Sequence, residues 1–339
     1  MARFFIPSLY IVLQITVVAA LGFFLRRSKG RWGGDFFSSF SAMVVKVTLP
    51  IYFFVKFSQA SLEDLKSAWM FPLAGPVIPL VGMGLSLIVL TLFRLRGNER
   101  RTAAAIGSFG NSGYIPITIV ELLPLALPAV AASFGTDLPL LFIGSYLLTH
   151  SPLLWSFGRY LVTGSADKPK LKDFISPPLL GILAGLTIPL LGLKPVFFDS
   201  DLPFWYIHSA LAKVSNITFP AILLCLGAII GELKINGVDR IRKRQLLSST
   251  AAVMIVRYLL MPGIFYGVFF AVFKPLQVPP PVIWVFFLET HIPPANNFAV
   301  MAKDSGRNED ITAFALLITY LAYLVVLPVS MLLFLTLMQ

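Results

Sequence analysis

The densest chemistry in this chain lies in one stretch, Ser108-Phe-Gly-Asn-Ser-Gly-Tyr-Ile-Pro-Ile-Thr-Ile-Val-Glu121. It sits inside a hydrophobic span, yet Gly110, Gly113 and Pro116 fall within seven residues. Pro116 has no N–H, and its ring collides with the carbonyl of Ser112 if the segment runs as a helix. In lipid, an unpaired backbone carbonyl is tolerated only against protein or a water-filled cavity. Asn111, Ser112, Tyr114 and Thr118 surround the break with amides and hydroxyls. A broken helix lined by polar groups at membrane depth is the signature of a transporter's binding site, and a healed proline kink is the plainer alternative. A second such place follows at Glu289-Thr-His-Ile-Pro-Pro-Ala-Asn-Asn297. There Pro293 and Pro294 leave the carbonyls of Glu289 and Thr290 without helical partners, and Asn296 and Asn297 follow at once.

Two cations belong to the same chemistry. Lys46 and Arg257 fall near the middle of apolar spans, where an ionised side chain is costly and by default functional. A guanidinium grips a carboxylate through two parallel hydrogen bonds, which makes Arg257 the leading substrate contact, with Lys46 behind it. The plainer alternative is a structural ion pair such as Lys46 with Glu289. Glu289 is the coupling candidate: it can take up and release a proton, or act as an oxygen ligand for sodium together with Asn111, Ser112 and Asn296. His291 and His150 are candidate proton relays, although a membrane histidine more often forms a helix–helix hydrogen bond. The substrate-binding set is therefore Asn111, Ser112, Tyr114, Pro116, Pro293, Asn296, Asn297, Arg257 and Lys46. Half-helix amino ends at the two breaks favour a carboxylate, whereas freed carbonyls favour a cation or proton, so together they point to coupled anion transport.

The elements that must position these residues are membrane helices. The chain has 339 residues, 57% of them hydrophobic and 13% charged, with a mean hydropathy of +0.83. Soluble domains carry about 25% charged residues, so this is an all-α polytopic membrane protein. Ten spans can be drawn, at 6–25, 36–57, 69–93, 102–121, 138–158, 176–193, 209–231, 246–273, 282–302 and 311–337. The net charge of +11 sits in short clusters between spans, which marks cytoplasmic loops rather than nucleic-acid binding. After the odd-numbered spans come Arg26, Arg27, Lys29 and Arg31, then Arg94, Arg96, Arg100 and Arg101, then Arg159, Lys168, Lys170 and Lys172. Lys234, Arg240, Arg242, Lys243 and Arg244 follow, then Lys303 and Arg307. The opposite side holds six (Arg3, Lys56, Lys66, Lys194, Lys213, Lys274). That bias places both termini outside a cell membrane, the inner or cytoplasmic one in a bacterium. No cleavable signal peptide stands out, because the basic cluster follows the first apolar run. Cys225 is the only cysteine, so disulfides and cysteine metal clusters are out of reach.

The chain also repeats itself. Val44-Val-Lys-Val-Thr-Leu-Pro50 matches Val214-Ser-Asn-Ile-Thr-Phe-Pro220 at an offset of 170 residues, and Ile115-Pro116 matches Ile292-Pro293 at 177. Five spans per half is an odd number, so the second copy enters the membrane inverted. The expected organisation is a first five-helix repeat over 1–161, a cytoplasmic connecting loop over 162–174 and a second, inverted repeat over 175–339. Spans four and nine would cross as broken helices. The Thr48–Pro50 and Thr218–Pro220 steps are expected to be kinks that support the crossover. The tryptophans Trp32, Trp69, Trp205 and Trp284 fall near span ends and fit an interfacial belt. Phe53-Phe54 and Phe286-Phe287 are packing or lipid-facing bulk, Glu121 is interfacial, and the Arg240–Arg244 run is a topology determinant touching anionic lipid.

Gly110-Asn-Ser-Gly-Tyr-Ile-Pro116, Leu49-Pro50, Arg257…Pro262 and Pro293-Pro294-Ala295, in that order along ten spans, resemble the auxin efflux carrier family. That family includes plant PIN-type exporters and many bacterial relatives, and the sodium-coupled bile acid transporters are distant relatives by fold. The resemblance implies a scaffold part, a transport part with crossing broken helices, an organic-anion substrate and a homodimer. Tyr114 departs from the family's usual Asn, Glu289-Thr-His291 is unusually charged, and the short midpoint loop favours the bacterial type. Expected partners are the organic anion and the lipid bilayer, with no nucleic acid and no cofactor beyond a proton or sodium as coupling ion. No Gly-x-Ser-x-Gly, His-Glu-x-x-His, aspartate pair or phosphate loop appears, so an enzyme is not expected. An anion channel, distinguished by conductance rather than trans-stimulation, and a transporter-derived membrane sensor are the alternatives.

Overall fold

The computed structural model describes residues 2–28, 34–164, 175–232 and 240–338. Lys29, Arg31, Trp32, Lys168, Lys170, Lys172, Lys234 and most of the 162–174 connecting segment lie outside the described residues, as does the side chain of Arg240. The chain is all-α. Helix α1 (Ala2–Arg27) is followed by α2 (Gly34–Met43) and α3 (Leu49–Gln59), which a π-helical turn, Val44–Thr48, joins into one rod. After a short α4 (Leu62–Ser67) comes α5 (Phe71–Leu92). Half-helices α6 (Gly97–Ser108) and α7 (Ile115–Ala126) make span four, and a short α8 (Pro128–Phe134) leads on. Helix α9 (Asp137–Leu153) continues through a second π-turn, Leu154–Gly158, into α10 (Arg159–Thr163).

The second half holds α11 (Pro177–Leu190), α12 (Lys194–Phe197) and α13 (Pro203–Glu232). Then α14 (Arg240–Ile255) and α15 (Met261–Val268) are joined by the π-turn Val256–Leu260 and extended by Phe269–Phe273. Half-helices α16 (Pro280–His291) and α17 (Asn297–Ser305) make span nine, and α18 (Glu309–Leu337) closes the chain. Among the described residues seven helices are long and apolar enough to cross a membrane, and they correspond to spans one, two, three, five, seven, eight and ten. Spans four and nine are each two half-helices, and span six is the 14-residue α11.

Two of the π-turns share a cause. Pro50 and Pro262 each stand two residues after the turn ends, at the start of the next helix. A proline ring cannot sit against the carbonyl four residues back in a regular helix. The ladder widens instead, so that Leu49 N–H bonds to Val44 O and Met261 N–H to Val256 O, five residues apart. Such turns often mark functional sites.

The helices pack in two groups, which meet where α1 lies against α18 and α7. In one, α1 packs along α13 and α11 along α3, with α13 also against α3. Glycine lets these backbones touch: a Cβ on Gly227 would stand 1.7 Å from the Ala19 carbonyl oxygen, and one on Gly22 2.0 Å from that of Leu224. In the other group, α5 packs with α9 and α6, α14 with α18 and α6, and α17 with α18 and α10. Arg242 ties the second group at one end, with a two-pronged grip on Asp310 (2.6 and 2.8 Å) and a contact to Glu99. Charged bridges span the groups at both ends. At the basic end Glu232 of α13 meets Arg26 (3.2 Å) and Lys303 of α17. At the other end Lys56 of α3 lies 3.6 Å from both Glu121 of α7 and Asp137 of α9. Tyr52 OH also donates to Glu121 (2.8 Å), so Glu121 is an inter-group contact as well as an interfacial residue.

Aromatic placement corrects one expectation. Trp69 is 65% exposed and Trp205 36%, but Trp284 is fully buried. Its ring stacks between Phe134 and Phe287 at centroid distances of 5.2 and 5.5 Å, in a cluster completed by Phe334. The half-helix α16 starts near the surface but runs inward at once, so a tryptophan near a span end here meets protein rather than headgroups.

Candidate functional site

The two breaks cross as a miniature antiparallel pair. Gly110 faces Pro294, Asn111 N–H donates to Pro293 O (2.9 Å), and Ala295 N–H donates to Phe109 O (2.9 Å). In this register the facing residues exchange no hydrogen bonds themselves. Pro294 is therefore tolerated there, because no amide proton is asked of it. Gly110 is required by close approach: a Cβ on it would lie 2.5 Å from Arg257 Nη2 and 2.8 Å from the Ile292 side chain.

Three consecutive carbonyls of span nine are each held from a different helix. Arg257 Nε and Nη2 donate to Ile292 O (3.1 and 2.6 Å). Asn111 N–H holds Pro293 O. Tyr320 OH of α18 donates to Pro294 O (3.0 Å) and accepts from Asn111 Nδ2 (2.6 Å). Buried backbone groups in lipid need such partners, and here the donors come from spans eight, four and ten.

The proline that the sequence marks as breaking span four does so differently. Pro116 is in the first turn of α7, where its missing N–H is not needed. The helix has already ended at Ser108, six residues before α7 resumes, so Pro116 starts a half-helix and collides with no carbonyl of a continuous one. Pro293 follows the end of α16 at His291.

In front of the crossing lies a cavity of about 650 Å³. Its floor is Gly110, Asn111, Ser112, Gly113, Tyr114, Ala295 and Asn297, with His150 alongside. Its walls are Lys46, Leu49 and Phe53 on one side, Leu147, Leu154, Trp155 and Arg159 on another, and residues 175–179 with Ile182 on a third. Among the described residues, Lys46 and Arg159 are the only ones of that lining that carry a full charge, and both are cations. Lys46 stands exposed on the π-turn before Pro50.

Behind the crossing sits a second, sealed group. Arg257, Glu289, His291 and Asn296 are all buried and line no part of that cavity. The Arg257 fork is occupied by Ile292 O, which corrects the expectation that it grips a carboxylate in the open; its Nη1 has no hydrogen-bond partner among the described residues. No ion pair joins Lys46 to Glu289 among the described residues, because Lys46 faces the cavity and Glu289 the interior. Ser112 lies alongside the Glu289 carboxyl, yet among the described residues neither carboxyl oxygen has a partner of good geometry, and neither does either amide atom of Asn296. His291 Nδ1 is 2.8 Å from Phe287 O and 3.1 Å from Thr290 Oγ1, leaving Nε2 unpartnered. His150 lies between the Tyr146 and Phe109 rings, and neither ring nitrogen makes a hydrogen bond of good geometry among the described residues.

So of the sequence-derived residues, Asn111, Ser112, Tyr114, Asn297 and Lys46 meet at the cavity, Glu289, Asn296, His291 and Arg257 meet behind it, and Pro116 and Pro293 shape the backbone between. Sequence reasoning missed Tyr320 and Arg159. A phenol in mid-span ten was a usable signal; Arg159 was hidden among loop cations, because the π-turn before it carries α10 deeper than a loop.

Comparison with known proteins adds a consistent picture. A family model described as "Membrane transport protein" matches residues 7–150 and 161–331. Protein PIN-LIKES 7 of Arabidopsis thaliana is 22% identical, with 97% of each chain covered. Protein PIN-LIKES 5 of the same plant is 21% identical, with 96% of each covered.

Proposed function

The chain belongs to the membrane transport protein family of the auxin efflux carriers, and from that premise we propose that it is a secondary active transporter of a small organic anion, working by alternating access. The observation that carries this reading is the cavity floor. Crossed helix breaks bring the amino ends of α7 and α17 to one polar patch, and the only full charges in the lining among the described residues are those of Lys46 and Arg159. Both features favour an anion, through aligned backbone dipoles and through direct charge. Apolar walls from Leu49, Phe53, Leu154 and Trp155 suit a carboxylate with a hydrocarbon or aromatic body, and the polar floor suits a dicarboxylate equally.

Coupling is assigned to the sealed group. Glu289 Oε1 and Oε2 and Asn296 Oδ1 are buried acceptors without partners, with Ser112 alongside. The carbonyls of Glu289 and Thr290 face prolines four residues on and so lack helical donors. That donor set fits either a proton on Glu289 or a sodium ion among hard oxygen ligands.

The inverted five-helix repeats, 1–161 and 175–339 about the 162–174 connection, are part of the proposal. In support, Thr218 Oγ1 donates to Thr48 O (3.0 Å), joining the two copies of the repeated motif. The pairings α1 with α13 and α11 with α3 are exchanged counterparts under such a repeat, as are α5 with α9 and α14 with α18. We place the opening of the cavity on the side of Arg159 and residues 175–178, toward the end bearing Arg101 and Arg307. With basic loops cytoplasmic and both termini outside, this is an inward-open arrangement in the cell membrane, and a homodimer is the expected assembly.

The test is uptake of labelled mono- and dicarboxylates into proteoliposomes under imposed proton or sodium gradients. Saturable uptake with trans-stimulation is expected; a steady conductance without it would identify a channel.

A further inference from the structure

Two copies of a motif can agree in their surroundings and differ in one side chain, and here the difference falls at the cavity. Lys46, Leu49 and Phe53 follow helical spacing on one face of span two, and all three line the cavity. The second copy, 170 residues on, puts Asn216, Phe219 and Leu223 in the same places. The local environments correspond. Lys46 and Asn216 are exposed, whereas Thr48 and Thr218 are buried and bonded to each other. Two residues along a helix are about half a turn, so Lys46 and Asn216 both turn away from that bond. Phe219 and Leu223 line a second cavity, smaller at about 360 Å³ and almost wholly apolar. Its other members match too. Helix α1 walls it as α11 walls the first, and Leu122 of the half-helix α7 stands in it as Asn297 of the half-helix α17 stands in the first.

On the premise of the carrier reading and its inverted repeat, we infer that the smaller cavity is the collapsed counterpart of the larger one, opening when the site faces the other side of the membrane, and that Lys46, whose place Asn216 takes there, gives the carrier a sided affinity for its anion. The cavity floor belongs to the group that holds spans four and nine. Arg159 belongs with it, since α10 packs on α6 and α17. Both therefore travel with the anion. Lys46 belongs to the other group, on the rod that α11 and α13 pack against. As the floor crosses, the anion leaves the ammonium behind and meets an uncharged amide in its place. A hydrogen bond from a cation is roughly twice as strong as one from a neutral donor. Binding is therefore tighter on the Lys46 side, toward the basic end, and looser on the Asn216 side.

Labelled succinate and phenylacetate test this, as exchange in preloaded membrane vesicles from a bacterial host, right-side-out and inside-out, with vector-only vesicles subtracted. The wild type should reach half-saturation at about tenfold lower concentration in inside-out vesicles, where the basic end meets the medium, as a charged against a neutral donor predicts. Lys46→Asn should raise that value to within about twofold of the right-side-out one and leave the latter unchanged. Asn216→Lys should lower the right-side-out value about tenfold. Equal half-saturation on the two faces of the wild type, or a Lys46→Asn variant that weakens both faces alike, overturns the sided role and leaves the carrier reading standing. Absence of saturable exchange of either anion refutes the carrier reading and the sided role with it. The correspondence of the two cavities is decided without transport, by a membrane-impermeant maleimide on Lys46→Cys and Asn216→Cys, each in a Cys225→Ala background. Lys46→Cys should react only in inside-out vesicles and Asn216→Cys only in right-side-out ones. Reaction of both from one face, or none at Asn216→Cys from either, overturns the correspondence.

Discussion

Arg257 and Glu289 are both sealed from solvent, at 0% and 1% exposure, and no ion pair joins them among the described residues. The arginine is matched to Ile292 O, a backbone oxygen just past the end of α16. Replacing it with alanine strands that oxygen, at a cost of about 1–3 kcal/mol. Arg257→Ala should accordingly lower the melting temperature of the purified protein and reduce Vmax for all anions alike. A rise in KM confined to carboxylates, with stability intact, would return Arg257 to the role of substrate grip. Glu289 has no such structural partner, so its charge is free for coupling. In Glu289→Gln, uptake should lose its dependence on the imposed proton or sodium gradient while exchange of internal for external anion continues. Measuring both modes in the same proteoliposomes decides the matter, and full gradient dependence in the variant would remove Glu289 from the coupling role.

The half-helix is the element on which the site depends, and the tightest place in it is Gly110. A methyl group there would press on the Arg257 guanidinium and on Ile292 at once. Gly110→Ala should push the strands apart, cost at least as much stability as Arg257→Ala, and abolish uptake, which thermal unfolding and transport assays read separately. That the two segments break was legible, because Gly and Pro crowd into otherwise apolar spans. How they break was not. Pro116 reads as the obstacle, whereas the chain leaves the helix at Ser108 and Pro116 begins the next one. Their pairing was illegible too, since the register of Gly110 on Pro294 depends on hydrogen bonds between segments 184 residues apart. The cavity wall at residues 175–179 was hidden for a related reason. Nothing local in Ile175-Ser-Pro-Pro-Leu179 says which distant helix it will face. Lys46 and Arg257 share a signal that spacing could have given: each lies on a π-turn followed by a proline at the head of the next helix.

At the scale of the molecule, the Ile292–Pro294 backbone binds spans four, eight, nine and ten into one unit. The other unit is built on α1, α3, α11 and α13, so the charged bridges at Lys56 and Glu232 are contacts between bodies that must move against each other in an alternating-access carrier. Joining Lys56→Cys to Glu121→Cys with a short bis-maleimide that carries a disulfide in its linker should arrest uptake, and cutting that disulfide with a reductant, or omitting the linker, should restore it. Undiminished uptake in fully linked protein would mean that these bodies do not shift relative to one another. The glycine contacts of α1 with α13 also reach into biosynthesis. Gly22 and Gly227 are 205 residues apart in the chain. At about 5–20 residues per second, the first helix waits roughly ten to forty seconds in the bilayer before its mate leaves the ribosome. A chain cut within residues 165–174 should thus yield an amino-terminal fragment that is degraded when made alone and survives when the carboxy-terminal fragment is co-expressed, as immunoblots of membranes would record. Until α13 has been synthesised, the Gly22 face of α1 has no helix to close on.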